Sequence, residues 1–284
     1  MEFSMFDDCG GVQPKSFFRW VGGKARLIDP IRFYFPKSFN SYWEPFLGGG
    51  AVFFNLAPEK AHLNDVNPVL INCYRWLKED LDLVWHCLES FSLTPDTKEG
   101  YNENRDLFNS LKKREDFGPE FAALFIWLMS NGFNGLYREN SNGEFNVPKG
   151  SRNQCPTLEE LKACSELLKS NCESLEYEDF EEFLKPVQPG DFVYLDPPYI
   201  PYSSSRNFTN YVSGGFSEED HVRVADLCKQ LHLKHVKFMV SNSDSPMAHE
   251  LYSGFNFRKL NISHCIQTSS VESLHTSECL ITNY

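Results

Sequence analysis

The chain has 284 residues, a formal net charge of −12, 41% hydrophobic side chains and nine cysteines. That length suits one large α/β domain, or one domain with a sizeable insertion. The longest apolar run, Phe121 to Met129, falls far short of the ~20 residues a membrane span requires.

Met1 to Asp8 lacks the basic-then-apolar order of an export signal. The odd cysteine count without a C-x-x-C pair argues for reduced thiols in a cytoplasmic protein, and against a zinc site or disulfide framework. The acidic surplus weighs against nucleic acid as a partner, but it is local. Residues 156–200 carry eleven acidic and three basic side chains, whereas 1–70 and 101–155 each balance at seven against seven. An acidic lobe can therefore stand behind a neutral face.

Residues 1–14 read as a loose arm. Arg19-Trp20-Val21-Gly22-Gly23-Lys24 follows, with Leu27, Ile28, Ile31 and Phe35 at helical spacing. This predicts a helix opened by Gly-Gly-Lys, whose backbone N–H groups and ammonium suit an anion. Tyr42 to Phe46 reads as a buried strand running into Glu44-Pro45-Phe46-Leu47-Gly48-Gly49-Gly50, then a helix over Ala51 to Ala57. Glycines between strand and helix let a ligand approach the backbone closely. The pattern is not G-x-G-x-x-G, which counts against a dinucleotide enzyme. A strand over Ala61 to Asn64 ends at Asp65, 21 residues after Glu44. An acid there can accept hydrogen bonds from ribose hydroxyls. The constellation suits a nucleoside-bearing ligand.

From Asn67 to Cys155 the strand–helix rhythm breaks. Leu70, Ile71, Tyr74 and Leu77 mark one helix, more are expected through Arg114, and Phe121 to Met129 is a buried one. Asn131 to Arg138 is rich in Asn, Gly and aromatics, and Asn142-Gly143 predicts a two-residue hairpin turn. Such a segment can be idle surface, or it can carry an arginine and amides to base edges. Thr157-x-x-Glu160 and Ser217-x-x-Asp220 cap helices through Leu168 and Leu231. A strand near Leu175 leads to Asp179-Phe180. Residues 200–215 form a Ser-, Asn- and Gly-rich loop. Lys237 to Ser241 is a strand, and Phe255 to Ile262 with Glu278 to Tyr284 form an antiparallel edge.

Between these lies Asp191-Phe192-Val193-Tyr194-Leu195-Asp196-Pro197-Pro198-Tyr199. Its first half is a strand buried on both faces. The prolines end the ladder and leave the Asp196 carboxylate, a free carbonyl and the Tyr199 ring at the carboxyl end of the strand. An acceptor-only carboxylate, a carbonyl and a ring suit a flat substrate bearing an exocyclic amino group.

With these motifs in this order, the chain resembles the Dam-type DNA adenine-N6 methyltransferases from about Ser16 to Tyr284. Asn134-Gly135-Leu136-Tyr137-Arg138 and Gly143 to Pro148 look like the signature of the GATC-methylating members. The resemblance implies a Rossmann-like α/β methyltransferase fold with a mixed, mostly parallel sheet and an inserted helical and hairpin target-recognition domain. The catalytic domain would comprise 15–66 and 156–284, and the recognition domain 67–155. Trp20, Gly23 and Lys24 would flank S-adenosylmethionine. Glu44, Pro45 and Phe46 with Gly48, Gly49 and Gly50 would hold its methionine end, Asp65 its ribose, and Asp179 with Phe180 its adenine.

Asp196, Pro197, Pro198 and Tyr199 would receive the target adenine, with Asp196 also beside the cofactor. Arg19, Phe133, Asn134, Arg138 and Pro148 would contact double-stranded DNA. The resemblance also implies a bacterial or phage-encoded context and leaves open a cognate restriction endonuclease as a partner. Departures concern DNA contacts. An arginine expected before Phe133 is absent from Met129-Ser130-Asn131, Ser151-Arg152-Asn153 is less basic than usual, and His264, Ser273 and His275 replace expected cations. The rivals are a methyltransferase acting on RNA or a protein amide, and a non-enzymatic module derived from the family.

Overall fold

The computed structural model describes residues 12–151, 154–200, 216–260 and 277–284. Most of the expected arm, Arg152 and Asn153, nearly all of the loop after Ile200, and His264, Ser273 and His275 lie outside the described residues. The fold is mixed α/β, and the seven strands among the described residues make a mostly parallel sheet. The chain forms two compact units. One takes the described residues up to Ile28 with Leu47–Phe180. The other takes Asp29–Phe46 and the described residues of Glu181–Tyr284.

Helix α1 (Ile28–Tyr34) begins later than the sequence suggests. Gly22 has φ +77°, in the left-handed region, and the chain turns twice, with Gly23 N–H bonding Trp20 O at 3.0 Å and Leu27 N–H bonding Lys24 O at 2.7 Å. Gly-Gly-Lys therefore lies in turns ahead of the helix and does not open it. Strand β1 (Tyr42–Glu44) stops two residues early, because Pro45 has no N–H for a ladder.

In the first unit, α2 (Ala51–Leu56) leads to β2 (Ala61–Asn64). Four helices follow: α3 (Pro68–Glu79), α4 (Leu81–Ser92), α5 (Lys98–Lys113) and α6 (Pro119–Asn131). Helix α6 is apolar all round, so every residue from Phe121 to Met129 is buried, against α3, α4 and α5. After a 3-10 turn (Phe133–Gly135) and the hairpin come α7 (Leu158–Asn171) and β3 (Cys172–Glu176). Thr157 and Glu160 cap α7 reciprocally, as their spacing predicts. β2 and β3 pair in parallel, with Asn64 opposite Glu176. Arg75 fastens α3 to β3 through two bonds to Leu175 O, at 2.7 and 3.1 Å.

The second unit holds the end of α8 (Phe180–Phe183), β4 (Phe192–Leu195), α9 (Glu218–Leu233), β5 (Lys237–Ser243), α10 (Pro246–Leu251), β6 (Asn256–Leu260) and β7 (Glu278–Thr282). Its strands run β1-β4-β5-β7-β6, with β7 antiparallel to both neighbours. All four residues of β4 are buried, as its unbroken apolar run predicts. Asp191 enters this strand as a buried carboxylate, yet accepts from Ser41 N, Trp43 Nε1 and Gln188 N at 3.0–3.2 Å. The short α8 and α10 are too brief for a periodic signal and are not legible in the sequence.

Candidate active site

In the first unit the glycine turn is built by contact. Gly48 and Gly50 have φ of +49° and +67°. A Cβ on Gly48 would lie 2.8 Å from Trp20 Cδ1, one on Gly49 2.9 Å from Ser16 Oγ, and one on Gly50 2.7 Å from Phe54. Tyr74 OH donates to Gly48 O at 3.0 Å. Gly48 N–H in turn donates to Asp65 Oδ2 at 2.8 Å, and Asn67 N–H to Asp65 Oδ1 at 3.0 Å. Burial pushes the Asp65 carboxyl above its ordinary range, and these two N–H donors pull against that shift. The acid at the end of β2 and the glycine turn are thus one hydrogen-bonded assembly.

Asn64 extends it. Its amide donates to Glu178 O at 3.1 Å and accepts Glu178 N–H at 2.8 Å, which fixes the chain just before the exposed Asp179 and the buried Phe180. Lys24, in the same unit, is only 4% exposed, with Nζ bonded to Gly22 O at 2.6 Å. Gly23 is exposed.

The second unit supplies the carboxyl end of β4. Asp196 and Tyr199 are half-buried, Pro197 is buried and Pro198 exposed. The chain beyond is pinned to β5: Ile200 N–H donates to Asn242 Oδ1 at 3.0 Å, and Ser243 Oγ donates to Ile200 O at 2.6 Å. The Tyr199 hydroxyl donates to Glu278 Oε2 at 2.5 Å and lies 3.2 Å from Ser241 Oγ. Burial raises the pKa of that hydroxyl above the phenol range, and the charges of Asp196 and Glu278 push it the same way. The ring is therefore held by a neutral, anchored phenol. Glu44 is buried at the end of β1, where Tyr42 OH donates to its Oε2 at 2.7 Å. Pro45 is buried, and Phe46 meets the Phe216 ring edge-on at 6.0 Å.

The residues expected to contact DNA belong to the first unit. Phe133 is 51% exposed, and its N–H donates to Pro148 O at 2.9 Å, so these two residues, 15 apart in sequence, are adjacent. Asn134 is exposed in left-handed backbone, φ +56°. A Cβ on Gly135 would lie 3.0 Å from Arg19 Cβ, which sets the stem of exposed Arg19 beside this turn. Arg138 is exposed and its Nε donates to Asn146 Oδ1 at 2.8 Å.

The hairpin differs from the two-residue turn read from Asn142-Gly143. Asn140 N–H donates to Glu144 O and Gly143 N–H to Asn140 O, both at 2.9 Å, with Gly143 at φ +75°. This is a three-residue loop with a glycine bulge. Asn140 Oδ1 selects it by accepting from Asn142 N and Glu144 N at 2.9 and 3.0 Å. Asn109 of α5 holds the hairpin by bonding both N–H and C=O of Phe145.

Thus Trp20, Gly48, Gly49 and Asp65 cluster in one unit, as do Arg19 with the Asn134-Gly135 turn, Phe133 with Pro148, and Arg138 with Asn146. Sequence reasoning missed Asn64, Asn67, Tyr137, Ser241, Asn242 and Glu278. The signal available for Asn64 and for Ser241-Asn242 was the one used for Asp196, a polar residue at the carboxyl end of a buried strand. Glu278 had none, because its partner lies 79 residues away.

The chain belongs to the D12 class N6 adenine-specific DNA methyltransferases, whose family model matches residues 20–264, and it is an enzyme of that kind. It is 42% identical to the type II methyltransferase M1.LlaDCHI of Lactococcus lactis subsp. cremoris, over 96% of each chain. It is 36% identical to the type II methyltransferase M.MjaIII of Methanocaldococcus jannaschii, over 96% of this chain and 100% of that one. The DNA adenine methylase of Escherichia coli K12 is 32% identical over 90% of each.

Proposed function

We propose that the enzyme transfers the methyl group of S-adenosylmethionine to adenine N6 within GATC in double-stranded DNA. The observation that carries this reading is the end of β4, where Asp196 and the Pro197 carbonyl precede a tyrosine ring anchored by Glu278 and Ser241. The residues of the first unit suit the cofactor. A backbone turn stripped of side chains, an acceptor acid oriented by two N–H groups and the Trp20 face are a set of contacts that suits a nucleoside with a charged tail. S-adenosylmethionine supplies an electrophilic methyl group on a sulfonium.

The protein's work is on the nucleophile. An adenine amino nitrogen reacts poorly because its lone pair is delocalised into the ring. The Asp196 carboxylate and the Pro197 carbonyl accept its two N–H bonds, draw it toward a tetrahedral arrangement and free the lone pair for in-line attack. The base leaves the duplex to reach them, and stacking on Tyr199 offsets part of that cost. Glu44 and Phe46 would hold the methionine end and Asp179 with Phe180 the adenine of the cofactor. Phe133 would fill the gap left in the stack, while Asn134, Pro148 and Arg19 line the DNA and Arg138 reads guanine O6 and N7. The GATC assignment rests on Asn134 to Arg138 and Gly143 to Pro148. The type II names of two relatives support a cognate restriction endonuclease as a partner.

The test is to incubate the protein with methyl-labelled S-adenosylmethionine and unmethylated DNA, then map modified adenines by context. Label in N6-methyladenine confined to GATC is the expected result. Label in another fixed context would overturn the site choice, and no transfer would overturn the donor.

A further inference from the structure

Tyr137 lies in the recognition stretch but does not share the exposure of Phe133, Asn134 and Arg138. Its ring stacks on Trp20, with centroids 5.9 Å apart and planes 21° from parallel, and meets Phe125 edge-on at 5.8 Å. Its hydroxyl donates to Glu139 Oε1.

Two of these partners, Trp20 and Glu139, have a second contact. Trp20 packs on Gly48 and Gly49. Glu139 accepts from Lys112, which also donates to Gly143 O at 2.7 Å in the hairpin loop. Tyr137 therefore reaches the glycine turn through Trp20 and the base-reading hairpin through Glu139. All of this lies within one compact unit.

We propose that Tyr137 is a positioning residue that couples occupancy of the cofactor turn to base reading by the hairpin. The inference rests on the reading above for what binds at each end. Filling the glycine turn fixes Trp20, and Tyr137 passes that constraint to Glu139 and the hairpin arm that carries Arg138. Spatial continuity alone does not establish coupling, so the claim concerns a measurable linkage. Linkage is reciprocal: whatever factor the cofactor adds to DNA affinity, DNA adds to cofactor affinity.

The experiment uses the full chain, S-adenosylhomocysteine as an unreactive cofactor probe, and two duplexes, one with GATC and one with a single base pair of it changed. Dissociation constants are measured for each ligand alone and with the other saturating. Wild type should show a coupling factor of about fivefold or more on the GATC duplex, and less on the altered one. Tyr137→Leu, which loses ring stack and hydroxyl, should bring the factor close to one while each ligand alone binds within about threefold of wild type. Tyr137→Phe keeps the ring and should fall between.

A purely structural role would weaken both ligands alone and leave the factor intact. A wild-type factor in Tyr137→Leu, or no coupling in wild type, overturns the proposal. Thermal melts monitor folding. If Tyr137→Leu does not fold, Tyr137→Phe decides, a reduced factor supporting the proposal and an unchanged one overturning it. If wild type fails to bind S-adenosylhomocysteine, the cofactor assignment itself falls and this inference with it.

Discussion

Gly48→Ala asks whether the glycine turn and Trp20 hold one another by direct contact. Gly48 has φ +49°, and an added Cβ would sit 2.8 Å from Trp20 Cδ1 and 3.2 Å from its Nε1. Two costs follow. A non-glycine residue in left-handed backbone costs roughly 1–2 kcal/mol. Forcing a methyl group against a ring that cannot easily retreat costs roughly 1–3 kcal/mol more, and Trp20 is backed by Tyr137. The substitution should therefore destabilise the protein by about 2–5 kcal/mol. A double-mutant cycle in urea separates the two. In a Trp20→Ala background the methyl group has space, so only the backbone cost of about 1–2 kcal/mol should remain. The same loss in both backgrounds would refute the contact argument and leave the turn's rigidity to backbone conformation alone. Binding of S-adenosylhomocysteine, titrated on each folded variant, should weaken in Gly48→Ala in step with the displacement of the indole.

Asp196→Ala should lower methyl transfer by at least about 100-fold while S-adenosylhomocysteine still binds, because in the proposed reaction the carboxylate acts on the amino nitrogen. Label transfer and calorimetry check this, and equal losses of rate and binding would refute the role. Arg138→Ala should relax one base pair of the site by about 1–3 kcal/mol and leave the others strict. A panel of singly substituted duplexes tells this from uniform weakening, which would mark a phosphate contact. Asp244 accepts from His249 at 2.7 Å, Lys259 at 3.0 Å and Ser277 at 3.2 Å, contacts that hold its carboxyl below the ordinary range. The stabilisation is complete above the unfolded pKa of about 3.9 and disappears as pH falls through the lower folded value. Asp244→Asn should thus cost about 1–2 kcal/mol at pH 7 and progressively less toward pH 2. Denaturant curves at several pH values test this, and a pH-independent cost would refute it.

The strands that carry the acids were legible because burial on both faces leaves an unbroken apolar run, as in Phe192 to Leu195, and a proline marks where it stops. The helix caps at Thr157 and Ser217 were legible because their chemistry is local, three residues apart. What escaped was decided by contacts distant in sequence or by side chains acting on backbone. Asn140 lengthens the hairpin loop by accepting two N–H groups, which the Asn142-Gly143 pair does not announce. Gly22 turns the chain before Lys24, so reading Gly-Gly-Lys as the helix opening placed the start too early, whereas the apolar spacing from Leu27 located the helix itself. The anchoring of Tyr199 depends on β7 pairing with β5, which sets Glu278 opposite Ser243, and no local pattern encodes that register.

The hairpin separates residues that shape it from residues that face outward. Asn140 and Gly143 close the loop, and Asn109 and Lys112 of α5 grip it from behind. Arg138 and Asn146 contact each other and are not needed for any of those bonds. If Arg138 reads DNA as proposed, exchanging these two side chains together would change the reading head without refolding its mount, and new sequence preferences would be accessible by very short mutational paths. Replacing the whole segment is a different operation, since it removes Tyr137 and with it the stack on Trp20. On that proposal, the pair is the unit of exchange for redirecting this enzyme to another DNA site, and Tyr137 is the part to leave in place.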